Sequence, residues 1–318
     1  MNILITGGAG FIGANLARHA LDRGHEVRIL DDLSTGYVDN LAGLRVDFLQ
    51  ASLLDVEALR EAVRGIDSIV HLGALGSVPR SMADPLTTHH ANATGSLNVL
   101  EAARANGVEH VVCASSSSVY GMNPALPKHE REWVRPMSPY GVSKLASEQY
   151  TLAYQQSYGM ATLAFRFFNV FGPLFFNVFG PLQRAGHVYA AAIPIFIDAL
   201  LRGAPLPING DGPQSRDFTY VGSVCRVLVD AVERRVSHPE PVNLAFGTNT
   251  SVLTLVKQLS EVTGREAQLD FRPPRIGDVP HSQADGSVLR HLFPEVAPVE
   301  FEDGLRRTVA WFEGAALP

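Results

Sequence analysis

The amino-acid sequence predicts an α/β protein in which a doubly wound parallel sheet is followed by a smaller, irregular α/β lobe. Three observations support this fold class. From residue 2 to about 170, short apolar runs alternate with amphipathic helical stretches, as in a parallel sheet covered on both faces. A glycine-rich turn directly follows the first apolar run. After residue 180, proline and glycine become denser and the helical stretches between them become shorter.

The first 170 residues contain apolar runs that we interpret as strands, most of them followed by a helix. NILIT precedes FIGANLARHALDRG, and EVRILD precedes LDVEALREAVRG. SIVHLGA precedes GSLNVLEAARANG, HVVCASSS precedes SPYGVSKLASEQYTLAYQQSYG, and ATLAFRFF closes the series. This is a Rossmann-type arrangement, in which ligands bind beyond the carboxyl ends of the strands. We assign residues 1–170 to a nucleotide-binding domain, to which some later segments return, and residues 171–318 mainly to a second ligand-binding lobe.

Composition excludes several classes of protein. A net charge of -6 and a pI near 6.0 argue against a nucleic acid partner, which requires a basic surface. Cys113 and Cys225 are far apart in apolar runs, which favours buried free thiols in a reducing cytoplasm. The opening MNILITGGAG lacks the features of a secretory signal, and no apolar run is long enough for a membrane span. No histidine spacing is typical of metal ligands, so we expect no metal.

The turn TGGAGFIG follows the first strand and opens the first helix. Gly7, Gly10 and Gly13 would let backbone amides approach a pyrophosphate at the amino end of that helix. Asp31 ends the second strand, where a carboxylate can bind the adenosine ribose diol and would repel a 2′-phosphate. Together these features predict NAD as the cofactor, in preference to NADP.

Two further motifs suggest a catalytic group. ASSSSVYG ends the strand that begins near Val111, and SPYGVSK opens a long helix. Tyr140 and Lys144 are one helical turn apart and therefore share a face. Lys144 and an oxidised nicotinamide would favour the phenolate of Tyr140, for which a pKa near 7 requires roughly 4 kcal/mol of differential stabilisation. Ser116 would hydrogen-bond the same substrate oxygen, so we predict these three residues to be catalytic.

The sequence resembles the extended short-chain dehydrogenase/reductases, specifically the nucleotide-sugar 4-epimerases, from residue 2 to about 312. The motifs that carry the resemblance are TGGAGFIG, LDDLSTG, HLGALGSVPRS, NATGSLNVLEAA, SSSSVYG, SPYGVSK, RFFNVFGP, YAAAIP, GDGPQSRDFTYV and RIGDVPHSQAD. The resemblance implies that the serine, tyrosine and lysine above form the catalytic triad and that the substrate is a UDP-sugar. Two arginines suit a diphosphate because each can form charge-assisted, bidentate contacts. The residues implied to hold the UDP part are Asn169, Arg216, Arg275 and Asp278.

The implied reaction is inversion of C4 of a UDP-hexose or UDP-N-acetylhexosamine through a transient 4-keto intermediate. Tyr140 would take the O4 proton while hydride passes to NAD, and the tethered keto sugar would turn its other face before hydride returns. In the family's dehydratases an Asp-Glu pair stands where this chain has Ser117 and Ser118, and the decarboxylases usually keep a glutamate at the second position. Serine cannot act as that acid or base at neutral pH, so epimerisation is favoured.

For the sugar, GSVPRS, YAAAIP and DVPHSQAD resemble the branch that accepts UDP-N-acetylglucosamine and UDP-N-acetylgalactosamine. Gly76, Gln183 and Ser282 match positions that line the sugar pocket in that branch. Glucuronate epimerases tend to have threonine in place of Asn169, which weighs against them. Two alternatives stay open: a UDP-glucuronate 4-epimerase, and an inactive NAD-binding protein disabled by an internal duplication.

The resemblance also supplies the remaining predicted contacts. Ala51-Ser52 replaces the family's Gly-Asp pair beside adenine, so Ser52 is expected to make a weaker hydrogen bond there. The other cofactor contacts are Phe11, Ile12, Asp32, Ser34, Leu53, Leu72, Gly73 and Ala74, and the other substrate contacts are Ser77, Ser117 and Tyr189.

Residues 167–174 and 175–182 both read FFNVFGPL. Two copies of this length are too short for a solenoid, so we interpret them as a tandem duplication within one enzyme. Displacing the strand ATLAFRFF would break ladder hydrogen bonds, whereas lengthening a loop costs about 0.6 kcal/mol per doubling. We therefore expect the strand to stay in register through the first copy, with Asn169 at the substrate, and the second copy, with Asn177, to loop out around Gly172-Pro173. The apolar residues that would then need cover, over the pocket, at a subunit interface or in an exposed patch, are Phe175, Phe176, Val178 and Phe179.

A homodimer with a four-helix interface is also implied by the resemblance. The helices would lie around 95–106 and 141–158, and both stretches carry apolar residues on more than one face. A helix buried within a monomer would show the same pattern, so the sequence leaves the two arrangements open.

Overall fold

The computed structural model describes residues 1–168, 178–183, 185, 192–212, 214–247, 249–273 and 283–314, over which strands and helices alternate. The strands are β1 (Asn2–Thr6), β2 (Glu26–Asp31), β3 (Asp47–Gln50), β4 (Ser68–His71), β5 (His110–Ser116), β6 (Ala161–Phe167), β7 (Val178–Phe179), β8 (Leu206–Asn209), β9 (Ser215–Arg216), β10 (Thr219–Tyr220), β11 (Val242–Leu244), β12 (Thr250–Ser251) and β13 (Leu269–Arg272). The helices are α1 (Phe11–Asp22), α2 (Val56–Ala62), α3 (Val78–Ala83), α4 (Pro85–His89), α5 (Gly95–Ala105), α6 (Pro139–Tyr158), α7 (Ala192–Arg202), α8 (Val221–Glu233), α9 (Val252–Thr263), α10 (Ser287–Leu292) and α11 (Phe301–Phe312).

The main sheet has the strand order β11-β6-β5-β4-β1-β2-β3, and its neighbouring strands are parallel. The chain winds outward from β1 in both directions, so the carboxyl ends of β1 and β4 meet at the point where the order reverses. The predicted doubly wound sheet is confirmed. β11 joins its outer edge from late in the chain, pairing with β6.

Hydrophobic clusters cover the two faces of the sheet. One face of β1 contributes Ile3 and Ile5 to a cluster that includes α1 and α8. The other face contributes Leu4 to a cluster that includes α2 and α5. Neighbouring residues of β5 divide in the same way, with Val112 in the first cluster and Val111 in the second. This alternation is the two-residue period of a strand buried on both faces.

The two copies of FFNVFGPL contribute different parts to the fold. Phe167 ends β6 and Phe168 is buried, so the strand stays in register into the first copy. In the second copy, Val178 and Phe179 form β7, which pairs in parallel with β10. Both are buried, and the Phe179 ring packs against the rings of Tyr220 and Phe301, with centroids 5.7 Å and 5.3 Å away.

The expectation that the second copy loops out is therefore wrong for its last part. Val178 and Phe179 belong to the core because β10 offers a strand partner and α11 offers an aromatic surface. The predicted loop around Gly172-Pro173, both asparagines (Asn169 and Asn177), Phe175 and Phe176 lie outside the described residues.

The helices of the described ranges include no candidate membrane span. None of these helices is both long enough and apolar enough to cross a bilayer. The longest of them, α6, carries charged and polar side chains on its buried face.

Candidate active site

The glycine turn between β1 and α1 is packed too tightly for larger residues. A Cβ on Gly7, whose φ is 71°, would lie 2.7 Å from the Gly73 nitrogen, in the segment after β4. A Cβ on Gly13 would lie 2.3 Å from the Gly7 carbonyl oxygen. The turn therefore presents bare backbone to the cavity above it, at the amino end of α1, where unpaired amides favour an anion.

Asp31 closes β2 with a fixed carboxylate. Its Oδ2 accepts a hydrogen bond from the Ala9 amide at 2.9 Å and its Oδ1 accepts one from the Leu33 amide at 2.8 Å. Burial raises the pKa of Asp31, and the two amide hydrogen bonds oppose that effect. The carboxylate is thus held at the carboxyl end of β2, as the sequence predicts for a ribose contact.

A single cavity of about 600 Å³ joins this region to the predicted catalytic residues. Predicted site residues that line it are Gly7, Gly10, Phe11, Ile12, Gly13, Asp31, Asp32, Ser34, Ser52, Leu53, Leu72, Gly73, Ala74, Gly76, Tyr140, Lys144 and Gln183. Lining residues that the sequence reasoning missed are Leu30, Thr35, Tyr37, Asn40, Ala51, Leu54, Leu75, Arg80, Thr87, His90, Ala91, Ala114, Ser115, Phe167, Val178 and Leu182.

Four predicted residues are described but do not line the cavity. Ser77 caps α3 by accepting the Arg80 amide at 3.1 Å, and Ser116 and Ser117 are buried at the end of β5. Arg216 is fully buried in β9, where its Nη1 donates to the Ser215 carbonyl at 2.8 Å. The predicted substrate residues that lie outside the described ranges are Asn169, Tyr189, Arg275, Asp278 and Ser282.

The start of α6 places the tyrosine and lysine. Ser138 caps the helix by accepting the Gly141 amide at 3.1 Å, and Pro139 occupies the first turn, where its missing N–H costs nothing. Tyr140 and Lys144 then lie one turn apart, both buried and both lining the cavity. Sequence spacing predicts this arrangement because it is local to one helix.

Ser116 meets Tyr140 from β5. Burial raises the pKa of Tyr140, and the hydrogen bond from the Ser116 side chain lowers it in part. Ser116 Oγ also accepts the Ser118 amide at 3.2 Å, which fixes its rotamer at the end of the strand. Burial lowers the pKa of Lys144, while Cys113 and Glu148 raise it. Serine, tyrosine and lysine are thus brought together as the sequence predicts.

A polar network holds α6 against the π-helical turn and α5. Asn92 lies in a π-helical turn, His90–Thr94, and donates from Nδ2 to Ser143 Oγ at 2.9 Å. One turn further along α6, Ser147 Oγ accepts from Ser96 Oγ at 2.9 Å. On this face, near Tyr140 and Lys144, α6 is therefore packed through hydrogen bonds between polar side chains and not through apolar side chains.

A neutral histidine lies beneath the lysine. His71 is fully buried, with Nδ1 2.7 Å from Thr6 Oγ1 and Nε2 2.8 Å from Ser96 Oγ. Burial, with a contribution from the charge of Lys144, lowers the pKa of His71 to about 3. The imidazole therefore adds no positive charge beside Lys144 near neutral pH.

The second copy of the duplicated segment forms part of the cavity wall. Val178 and Leu182 line it, as does Gln183 directly after the copy, and Gln183 Nε2 donates to the Val178 carbonyl at 3.2 Å. The Asn15 side chain, on α1, donates to the Pro181 carbonyl at 3.0 Å. This bond ties the wall to the helix that follows the glycine turn.

The residues fit a nicotinamide dinucleotide. One cavity contains a bare glycine turn at a helix amino end, a fixed carboxylate after β2, and a buried Tyr-Lys pair. Among its described lining residues the carboxylates are Asp31 and Asp32, both at the carboxyl end of β2, and none stands beside Tyr140. These features define a dinucleotide-dependent enzyme of the short-chain dehydrogenase/reductase type.

Comparison with known proteins gives the family. The model of the NAD dependent epimerase/dehydratase family matches residues 3–245. The chain belongs to this family, and its cofactor is NAD. UDP-glucose 4-epimerase of Mycolicibacterium smegmatis is 34% identical over 321 residues, which cover 98% of each chain.

Solved structures are equally similar. UDP-N-acetylglucosamine 4-epimerase from Methanobrevibacter ruminantium, in complex with UDP-N-acetylmuramic acid, has a TM-score of 0.90 and 36% identity, with 98% of each chain covered. UDP-glucose 4-epimerase from Thermotoga maritima, with UDP-glucose, has a TM-score of 0.89 and 34% identity, covering 98% of this chain and 99% of that one.

Proposed function

We propose that this protein is an NAD-dependent epimerase that inverts C4 of a UDP-hexose or UDP-N-acetylhexosamine through a transient 4-keto intermediate. The observation that carries the proposal is the contact of Ser116 with Tyr140, one turn from Lys144, at a cavity with no described carboxylate beside the tyrosine. Elimination of water would require an acid and a base there, and Ser117 and Ser118 cannot supply them at neutral pH.

In this mechanism Tyr140 acts as base and then as acid at the same oxygen. Its phenolate takes the O4 proton, and after the 4-keto sugar has turned over it returns the proton to O4 as hydride returns to C4, which forms the new alcohol. Lys144 stabilises the phenolate by its charge, and Ser116 hydrogen-bonds the reacting oxygen. NAD, when bound, supplies the acceptor and donor of the hydride. No proton is gained or lost overall, so the tyrosine needs no exchange with solvent.

The substrate contacts are part of the proposal. Arg216, with Asn169, Arg275 and Asp278, would hold the UDP moiety, since buried guanidinium groups suit a diphosphate. For the sugar we favour the N-acetylhexosamines. Gly76 and Gln183 line the cavity, and Gln183 Oε1 is buried without a hydrogen-bond partner among the described residues. This oxygen can accept a hydrogen bond from a sugar hydroxyl or an amide N–H.

The test is proton NMR of the protein with NAD and, in separate tubes, UDP-N-acetylglucosamine, UDP-glucose and UDP-glucuronate. We expect a product with an equatorial H4, and therefore an axial O4, from UDP-N-acetylglucosamine. Product from UDP-glucuronate alone would establish the alternative substrate. Bound NAD without any product from folded protein would refute the epimerase assignment and indicate an inactive NAD-binding protein.

Assembly and location complete the proposal. A homodimer through the helices around 95–106 and 141–158 is supported by exposed apolar side chains on α6, with Val142 53% and Tyr158 57% exposed. Substituting Val142→Arg should then yield monomers in analytical ultracentrifugation. Leu253→Arg, at an exposed position of α9, should not change the oligomeric state. A cytoplasmic location is supported by the two cysteines, which are buried free thiols.

A further inference from the structure

A buried ion pair lies one helical turn beyond the catalytic lysine. Glu148, on α6, is fully buried, and so is nearly all of Arg166, on β6. Arg166 Nε donates to Glu148 Oε2 at 2.9 Å and Arg166 Nη2 donates to Oε1 at 2.8 Å. This bidentate geometry is the strong form of a carboxylate–guanidinium contact and fixes both side chains in orientation.

A third donor reaches the same carboxylate from β5. Ser115 Oγ donates to Glu148 Oε2 at 2.6 Å, and Ser115 is the direct neighbour of Arg166 in the β5–β6 register. The next pair in that register is Ser116 with Phe167. Ser116 contacts Tyr140, and Phe167 lines the cavity, so Glu148 joins the helix to both strands one residue before the reaction site.

The groups that face Lys144 differ in charge. His71, from β4, is neutral because burial lowers its pKa to about 3. Burial also raises the pKa of the Cys113 thiol, from β5, so that it stays protonated. Tyr140 and Glu148 face the lysine from its own helix. Glu148 is therefore the carboxylate that acts on Lys144 among the described residues.

Arg166, the second cation of the cluster, has further contacts besides Glu148. Arg166 Nη1 donates to the Glu130 carbonyl at 3.0 Å, and the guanidinium lies 4.7 Å from the centroid of the Tyr120 ring. Burial lowers the pKa of Arg166, but the hydrogen bonds and charge of Glu148 outweigh it and raise the pKa overall. Glu148 thus serves two cations, Arg166 by direct contact and Lys144 through its charge.

We propose that Glu148 is a positioning residue, which keeps the Lys144 side chain charged and holds Ser116 against Tyr140. This inference rests on the proposed function for the roles of Tyr140 and Lys144. If Glu148 lost its charge, Lys144 would lose its proton at lower pH, because the carboxylate that favours its charged form would be gone. The unpaired Arg166 would add to this effect on Lys144.

The test is Glu148→Gln, which keeps the shape of the side chain and removes its charge. We expect the alkaline limb of the pH profile of kcat, at which Lys144 loses its proton, to move to lower pH by about one unit. A readout without turnover is the pH titration of the Lys144 side-chain NMR signal in the NAD-bound protein, assigned with the Lys144→Arg variant. It should show the same shift.

Glu130→Gln is the matched control. Glu130 is also buried, and its Oε1 accepts the Asn243 amide at 2.9 Å, but it does not act on Lys144. Its profile and titration should stay at the wild-type pH. A fall in kcat for Glu148→Gln with both curves unmoved would overturn the proposal and leave the pair a purely structural one.

Two cases need a separate experiment or readout: a variant that does not fold and a wild type that is inactive. If Glu148→Gln does not fold, the double variant Glu148→Gln/Arg166→Gln removes both charges and should show a smaller shift in the same direction; no shift would again overturn the proposal. If the wild type epimerises none of the UDP-sugars, the proposed function fails, whereas a shifted titration of Lys144 would still support the action of Glu148 on that lysine.

Discussion

The helices α6 and α8 pack on opposite faces of the sheet and do so with opposite chemistry. α8 buries an apolar strip that includes Val224 and Leu228, next to β1 and β5. α6 buries Ser143, Ser147 and Glu148 around its lysine. Burying apolar side chains stabilises the fold in proportion to the area removed from water, by roughly 25 cal/mol per Å². This stabilisation does not depend on a particular partner residue. Buried polar groups are tolerated only where each has a partner, so α6 is held by specific bonds rather than by area.

The largest effect expected of any substitution is on α6. Tyr140→Phe removes the group that we propose takes the O4 proton, and kcat should fall by about 10²–10⁴-fold. The NMR assay measures it. The melting temperature should hardly change, because the lost hydroxyl contacts Ser116 alone among the hydrogen bonds described for it. Tyr150→Phe, on the exposed side of the same helix, should keep the wild-type rate. If the Tyr140→Phe enzyme stayed active, Tyr140 would not be the proton acceptor, and the polar residues of α6 would not be explained by catalysis.

Matched truncations measure the difference between the two helices directly. Leu228→Ala, in the core of α8, should lower the free energy of unfolding by about 2–5 kcal/mol, since it leaves a cavity. Ser147→Ala, on α6, should cost about 0.5–1.5 kcal/mol, although it removes a single oxygen, because the hydrogen bond from Ser96 is lost. Urea unfolding gives both values. A cost near zero for Ser147→Ala would mean that the polar network does not hold the helix.

The polar face should also make the protein sensitive to acid. The pKa of His71 falls from 6.5 to about 3 on folding, so its neutral form stabilises the fold above pH 6.5. This stability is lost as pH falls through the interval between those values, at about 1.4 kcal/mol per unit. At about pH 5 the loss is of the order of 2 kcal/mol. Unfolding at several pH values measures it; His71→Gln should flatten the slope, whereas the exposed His291→Gln should leave it as in the wild type.

The smallest effect is expected from shortening the duplicated segment. Any deletion of eight consecutive residues within 167–182 gives the same shortened chain, since the copies are identical. That chain can still supply the end of β6 and the start of β7, so we expect a change in stability below about 1 kcal/mol. Thermal unfolding checks this value. A loss of several kcal/mol would mean that the extra residues contribute to the core.

Local patterns predicted the fold and most of the cofactor cavity. The glycine turn, Asp31 and the Tyr140–Lys144 pair depend on spacing within one turn or helix, which can be deduced from the sequence alone. Arg80 and Phe167 reach the cavity through packing between distant segments, for which spacing gives no signal. The place of Val178 was predicted wrongly because both copies have the same propensities, and only the strand at Thr219–Tyr220 distinguishes them.

The two hydrogen bonds that Asp31 accepts from backbone amides have a consequence for cofactor engineering. Replacing Asp31 by a small residue is the obvious way to admit a 2′-phosphate, since it removes the repelling charge. The same change would strip the buried Ala9 amide, and the Leu33 amide at a left-handed position with φ 60°, of their acceptor. Each amide left unsatisfied costs about 1–3 kcal/mol. The carboxylate that we propose selects NAD therefore also stabilises the loops around it, and a redesign must supply a new acceptor for both amides.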